Sequence, residues 1–338
     1  MVLPKVQKYI DWMLILVINF MWATQVPVIK LIGDRLGPVA IAFVPMILST
    51  LMFLPLLWRE AAKRQTPTSL KWKDAKHFLV AGIFGLFFLQ LAYTVGSQRT
   101  LAANAGVITL TIPVFVALAG SFLLKEKLNA VRLWGFALAL LGVLMTSVSD
   151  LQGADFRQRS YLVGNAIFLL ACAGCGFYNA YCKLLVTKGY SELEILVYTS
   201  GVGSAASIPL LLWVEPFHPA TVIASGARAL WGLLELTFIV YGISMLLFFY
   251  VLKRMDVTQA ILGNYLLPFF IALLAVAVLK EPLTASMLTG GVMILLSTLM
   301  VSVYERDILH WMQRRRPVAA EVKERQPDQA TSQNCEVP

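Results

Sequence analysis

Apolar residues run along this chain in stretches long enough to cross a bilayer, one after another, separated by short charged or Gly/Pro-containing breaks. An apolar helix needs about 20 residues to traverse roughly 30 Å of hydrocarbon. The pattern predicts ten such spans, at 12–30, 38–57, 78–96, 101–124, 131–148, 161–186, 194–214, 229–252, 257–279 and 283–304. Outside them fall a short N-terminal arm, a basic loop at 59–76 and a polar segment after Tyr304, which reads as a disordered tail. The first run lacks a small-residue cleavage site and is long enough to span, so it is expected to stay as an anchor.

Composition agrees with that pattern. Fifty-eight per cent of the 338 residues are apolar and 14% are charged, which argues against a water-exposed globular fold. A net charge of +9 raises nucleic acid as a partner, but the cations are distributed by side. With the N-terminus in the cytoplasm, inner segments collect nineteen Lys and Arg, and outer segments hold seven: Lys30, Arg35, Arg99, Arg157, Arg159, Arg228 and Lys280. This follows the positive-inside rule, predicts both termini in the cytoplasm of a plasma (inner) membrane protein, and accounts for the charge with no nucleic acid.

The chain also repeats itself. A shift of 155 residues lays Ala102–Val148 on Val257–Val303 without a gap, so that Pro113 meets Pro268 and Phe115 meets Phe270. Leu124-Lys125-Glu126 then meets Leu279-Lys280-Glu281, Gly135 meets Gly290, and Leu144-Met145 meets Leu299-Met300. The same shift carries spans two and three onto seven and eight, with Lys30 falling near Lys183. Five spans separate the copies, and five is odd, so the second copy is expected upside down. The predicted fold is therefore an all-α integral membrane protein of ten helices in two inverted-topology repeats, 1–150 and 151–305, with a cytoplasmic tail at 306–338.

The stretch from Ala103-Asn104-Ala105 through Pro113, Phe115 and Leu124 to Glu126, with its copy through Pro268 to Glu281, resembles the EamA-type repeats of the drug/metabolite transporter superfamily. Phe20-Met21-Trp22-Ala23 to Ile29-Lys30 is similar to the start of the first family repeat. Ala23 stands where the family often has Gly, and Lys125 and Lys280 stand where a Gly commonly precedes the Glu. The resemblance implies a small-metabolite permease, often an exporter, with its substrate cavity between the repeats near mid-membrane.

Polar groups are costly in hydrocarbon, so those deep in spans face a partner, a cavity or water. Glu235 is the carboxylate placed well within a span, between Leu233-Leu234 and Leu236. A bare charge is expensive there, and exchanging a proton or holding a cationic amine is the chemistry it suits. A later start to span eight would instead leave it at interfacial water. Gln90, Tyr93 and Thr94 share one face of span three at i, i+3 and i+4, as a substrate stripe or as helix–helix hydrogen bonds. Asn19, Thr24 and Gln25 in span one are spread too widely for one patch. Tyr178, Asn179 and Tyr181 accompany Gly174 and Gly176 in span six, a set suited to a zwitterionic or aromatic ligand, although packing explains the glycines equally well. Asn264 and Tyr265 precede Pro268 as Asn104 and Thr111 precede Pro113. Each proline removes the donor to the carbonyl four residues back, at Thr109 and Asn264, so both helices are expected to kink there as structural hinges.

Other features read as structural. Glu126 and Glu281 each precede a new helix, where a carboxylate complements the N-terminal dipole and Pro282 fits the first turn. The tryptophans fall largely at span ends, as interfacial anchors. Cys172 and Cys175 form Cys-x-x-Cys inside an apolar span with no second ligand pair, and His77, His218 and His310 do not cluster, so no metal site and no cofactor are expected. No Gly-x-x-x-x-Gly-Lys-Ser/Thr is present; the energy is expected to come from a gradient. No catalytic dyad lies at one depth, so the chain reads as no enzyme.

The resulting expectation is a secondary transporter that exports amino acids, purines or related compounds by alternating access, with Glu235 as the candidate for proton coupling. Its partners are a small-molecule substrate and the lipid bilayer, as a monomer or homodimer. The substrate-binding candidates are Gln90, Tyr93, Asn104, Tyr178, Asn179, Glu235, Asn264 and Tyr265, with Pro113 and Pro268 as hinges. The competing reading is a non-transporting membrane subunit that binds a partner through 59–76 or 306–338.

Overall fold

A computed structural model describes residues 4–63, 72–123, 129–146, 156–215, 218–252, 266–302 and 308. They are helical and turn structure, with no strand among the described residues. Six helices are long and apolar enough to cross a membrane: α1 (Tyr9–Ile32), α2 (Pro38–Lys63), α3 (Ala75–Arg99), α6 (Tyr161–Thr187), α7 (Glu192–Val214) and α8 (Ala227–Val251). A bent pair, α4a (Ala102–Thr109) and α4b (Ile112–Leu123), makes a seventh. Three shorter apolar helices complete the set, α5 (Ala130–Thr146), α9 (Leu267–Leu279) and α10 (Ala285–Val301). Among the described residues, then, six helices, or seven with the bent pair taken as one span, are long and apolar enough to cross, against the ten spans expected. The residues before Leu266 that belong to the expected ninth span lie outside the described residues, as do 306–307 and 309–338 of the tail and part of loop 59–76.

Local chemistry sets where these helices break. Pro113 is the second residue of α4b, and α4 bends by 42° across Leu110 and Thr111, where the sequence placed the kink. Leu110 O, freed by the bend, accepts a 2.6 Å bond from Thr298 Oγ1 of α10. Pro268 is likewise the second residue of α9. Helix α1 is interrupted at Thr24, three residues before Pro27. π-helical turns run over Ala81–Phe87 in α3, Leu210–Val214 in α7 and Glu235–Ile243 in α8; such turns widen a helix by one residue and are frequent at functional sites. Helix α7 starts on a capping box, Ser191 Oγ accepting from Glu194 N at 3.2 Å and Glu194 Oε2 from Ser191 N at 2.7 Å.

Packing joins the two halves of the chain. Helix α6 lies against α3 and α4, and α1 lies against α8 and α9; α7 packs on α2 and α3, and α2 on α8. Helices α4a and α9 pack together, as do α5 and α10. Exchanging each helix for the one five places along maps α2–α7, α4–α9 and α5–α10 onto themselves and each of the other pairs onto another in the set. At the α5–α10 seam the backbones approach so closely that a Cβ on Gly290 would lie 2.5 Å from Gly142 O, and one on Gly142 would lie 2.8 Å from Gly290 O. Buried Phe43, Phe53, Phe168 and Ile271 fill the interior, while Phe84, Phe122, Trp134, Leu170, Trp213 and Trp231 are exposed around the bundle. An apolar exterior of that extent belongs in lipid, and the protein is a multi-pass membrane protein.

Helix ends gather into two polar layers. One holds the Lys30–Glu281 ion pair at 3.0 Å, Glu215 on the start of α2, and Arg228 paired with Asp34. The other holds Lys188–Asp74 at 3.1 Å, Tyr190 Oη donating to Asp74 at 3.0 Å, His77 with Tyr181 at 2.9 Å, and Arg132 donating to Ser121 Oγ at 3.1 Å. Three sequence expectations change here. Glu281 does not serve its own following helix: it bonds Lys30 and the Ala103 N–H, 3.3 Å away at the start of α4a. Pro282 lies before α10, whose start is capped by Thr284 Oγ1 accepting from Met287 N at 3.2 Å. Trp22 is no interfacial anchor, because it sits mid-helix and donates from Nε1 to Ser244 Oγ at 2.9 Å, with its ring against Phe248.

Candidate functional site

Helices α1, α3 and α8 meet in a polar cluster between those two layers. Gln25 Nε2 donates to Tyr241 Oη at 2.7 Å, and Tyr241 Oη donates to Gln90 Oε1 at 3.1 Å. One phenol thereby ties the interrupted part of α1 to α3. Next to it Thr24 Oγ1 contacts Glu235 Oε1, at the start of the α8 π turn, and lies 2.7 Å from Met21 O. The second carboxylate oxygen, Glu235 Oε2, is buried without a hydrogen-bond partner, and so is Thr94 Oγ1 one turn beyond Gln90. An unpaired buried acceptor or donor costs about 1–3 kcal/mol, so such atoms mark places where a ligand group, water or proton is accommodated.

The other candidates fall elsewhere. Tyr93 sits beside this cluster, its ring 4.8 Å from that of Phe168. Asn104 is buried in α4a, one residue from the Ala103 contact with Glu281 and hence near the Lys30 layer. Tyr178 bonds Thr199 Oγ1 at 2.9 Å across α6 and α7, and its ring packs where a Cβ on Gly85 would stand. Asn179 is exposed and donates to Cys175 O on its own helix at 2.8 Å. The structure therefore brings Gln90 and Glu235 into one cluster but not Tyr178 or Asn179. Asn264 and Tyr265 lie outside the described residues. Cys172 is buried, with Sγ 3.7 Å from Ile108 O, as packing predicts. Among the described residues no three His, Cys, Asp or Glu gather as metal ligands.

Sequence reasoning missed Tyr241 and left Gln25 without a partner. Face assignment assumes 3.6 residues per turn, and the π turn over Glu235–Ile243 breaks that count. The available signal was polarity: Gln25 and Tyr241 are hydrogen-bonding groups in spans that have few.

Comparison with known proteins agrees with this architecture. The model of the EamA-like transporter family matches residues 11–148 and again 162–303. An uncharacterized transporter of Archaeoglobus fulgidus is 25% identical over 299 residues, covering 86% of this chain and 98% of its own. The S-adenosylmethionine uptake transporter of Rickettsia felis is 24% identical over 83% of this chain and 88% of its own. The pseudopaline exporter CntI of Pseudomonas aeruginosa is 24% identical over 64% of this chain and 69% of its own. A solved crystal structure, 18% identical, superposes with a TM-score of 0.56 over 88% of this chain and 98% of that one, and so shares its fold. With both halves matched, the chain belongs to the EamA-like transporter family and is a membrane transport protein.

Proposed function

We propose that the protein is a secondary transporter that exports a small metabolite across the plasma membrane, by alternating access around the Gln25–Tyr241–Gln90 and Thr24–Glu235 cluster. The observation that carries this reading is the cluster itself: side chains from both halves of the chain converge between the two polar layers and leave Glu235 Oε2 unpartnered. Ten spans in two inverted repeats, 1–150 and 151–305, are the architecture we assign. In support, helices pair symmetrically across the halves, and the 155-residue shift lays the α3 π turn within the α8 π turn and Ile112-Pro113 on Leu267-Pro268. The cation asymmetry supports an orientation with both termini, and the Lys188 layer, in the cytoplasm.

Glu235 is the coupling carboxylate in this reading. The Thr24 hydroxyl has one proton and two neighbouring acceptors, Met21 O and Glu235. A proton on the carboxyl completes the chain, with Glu235 donating to Thr24 and Thr24 to Met21 O. Gln90 and Tyr93 contact substrate, with Tyr178 and Asn179 outside the first cluster, and Pro113 and Pro268 shape the helices that move. Amino acids, purines and related compounds suit a site of amides, one phenol and one carboxylate. Two relatives are named for uptake and for export of small metabolites; ion pairs across the Lys30 layer favour loading from the cytoplasm, hence export.

The test is release of a metabolite mixture from proteoliposomes, with and without a pH gradient, for wild type and Glu235→Gln. A few related compounds leaving only with wild type, and faster with the gradient, is the expected result. Full pH-dependent flux in Glu235→Gln would sink the coupling assignment; no flux in either would sink the transporter reading.

A further inference from the structure

Helices α2 and α7 are counterparts, and their far ends carry nearly the same residues: Leu56-Leu57-Trp58-Arg59-Glu60 and Leu211-Leu212-Trp213-Val214-Glu215. Their environments differ. At the outer end, Glu215 reaches across to the start of α2, where Oε2 accepts from Val39 N at 2.9 Å and Oε1 from Ala40 N at 3.0 Å. These are orphan donors of a helix N-terminus, and a carboxylate there gains both hydrogen bonds and the helix dipole. Gly37 makes the approach possible, since a Cβ on it would stand 2.2 Å from Glu215 Cδ. At the inner end, the equivalent place is an open cleft of about 620 Å³ between α2, α7 and α8, lined by Arg59, Glu60, Lys63, Glu192, Phe249 and Tyr250 among others. There α7 caps itself through Ser191 and Glu194, in the position that Gly37 occupies in α2. The cleft is lined by Arg59, Glu60 and Lys63 from α2 and by Glu192 from α7, and no ion pair joins Arg59 or Lys63 to Glu192.

We infer that these two places are unequal latches of one switch. Glu215 on the α2 N-terminus holds the outer end shut while the inner cleft stands open, and inner closure pairs Arg59 or Lys63 with Glu192 as Glu215 lets go. The inference rests on the alternating-access reading, but its test reads distances rather than flux, so it can fail or succeed independently of transport.

The experiment uses pairs of spin labels in the full chain, its native cysteines replaced, with one pair at Arg35 and Ala220 outside and another at Ala62 and Thr187 inside. Wild type is expected to show a short outer distance. Glu215→Ala is expected to add a longer outer and a shorter inner population, and adding Glu192→Lys to that variant removes the shorter inner one. Loss of a helix cap alone would lower stability, so Gly37→Asp is added to Glu215→Ala to supply a local cap. The latch predicts recovered thermal stability with the outer end still opened. Return of the closed distances on Gly37→Asp, or unchanged distances in Glu215→Ala, would overturn the inference, as would an inner end that closes equally well with Glu192→Lys.

Discussion

Tyr241 shows how much one side chain decides in a membrane interior. Its hydroxyl accepts from Gln25 and donates to Gln90, so Tyr241→Phe leaves two amides short of a partner in a place with little water to replace it. We expect a loss of about 1–3 kcal/mol in stability by denaturant titration in detergent micelles, from the unpaired buried groups. Substrate half-saturation should rise in the same variant, whereas Tyr9→Phe, at an exposed tyrosine, should leave it unchanged. Asp74 is a different case, at a helix start outside the spans. The hydrogen bond from Lys188, with that from Tyr190, holds its carboxyl below the ordinary aspartate value against a smaller cost of burial. A depressed folded value means that its stabilisation is complete above the unfolded value and disappears as pH falls through the folded one. Thermal unfolding of wild type and Asp74→Asn should therefore differ at neutral pH and converge below about pH 4.

At the scale of the element, helix interruptions were legible where proline caused them and hidden where hydrogen-bond register did. The bend before Pro113 follows from a missing N–H and a freed carbonyl, both visible in the residue type. The π turns of α3, α7 and α8 contain no residue that demands them. In α3 the turn packs closely on α7, since a Cβ on Gly82 would lie 2.6 Å from Val202 Cβ. The α5–α10 seam makes the same point through glycine. Gly135 and Gly290 were aligned by the repeat, but only the structure shows carbonyl oxygens standing where a Gly290 or Gly142 Cβ would go. Gly290→Val must push the two helices apart. We expect a thermal unfolding temperature well below wild type in detergent, whereas Val at Gly201, which has open space around it, should be tolerated. Equal effects at the two positions would mean that the seam is not tightly packed.

For the whole molecule, the question is what holds one end of the bundle closed. Lys30 with Glu281, Glu215 with α2, and Arg228 with Asp34 all join segments distant in sequence, across the Lys30 layer. Of these groups the sequence assigned Glu281 to the helix after it and Lys30 and Arg228 to the outer charge, and it left Asp34 and Glu215 without a role. Charge pattern and the 155-residue repeat were readable from the chain because bilayer crossing imposes long apolar runs, and duplication preserves spacing. They determined the all-helical membrane class and the family likeness, and they singled out Gln90 and Glu235 as polar groups inside apolar spans. The partners of those residues were not readable, since Thr24, Gln25 and Tyr241 reach them from spans more than a hundred residues away or across a π turn. Solvent exclusion acts on single residues and is therefore written in composition. Hydrogen bonds in hydrocarbon depend on two groups arriving at one depth and one angle, and only the packed helices decide that.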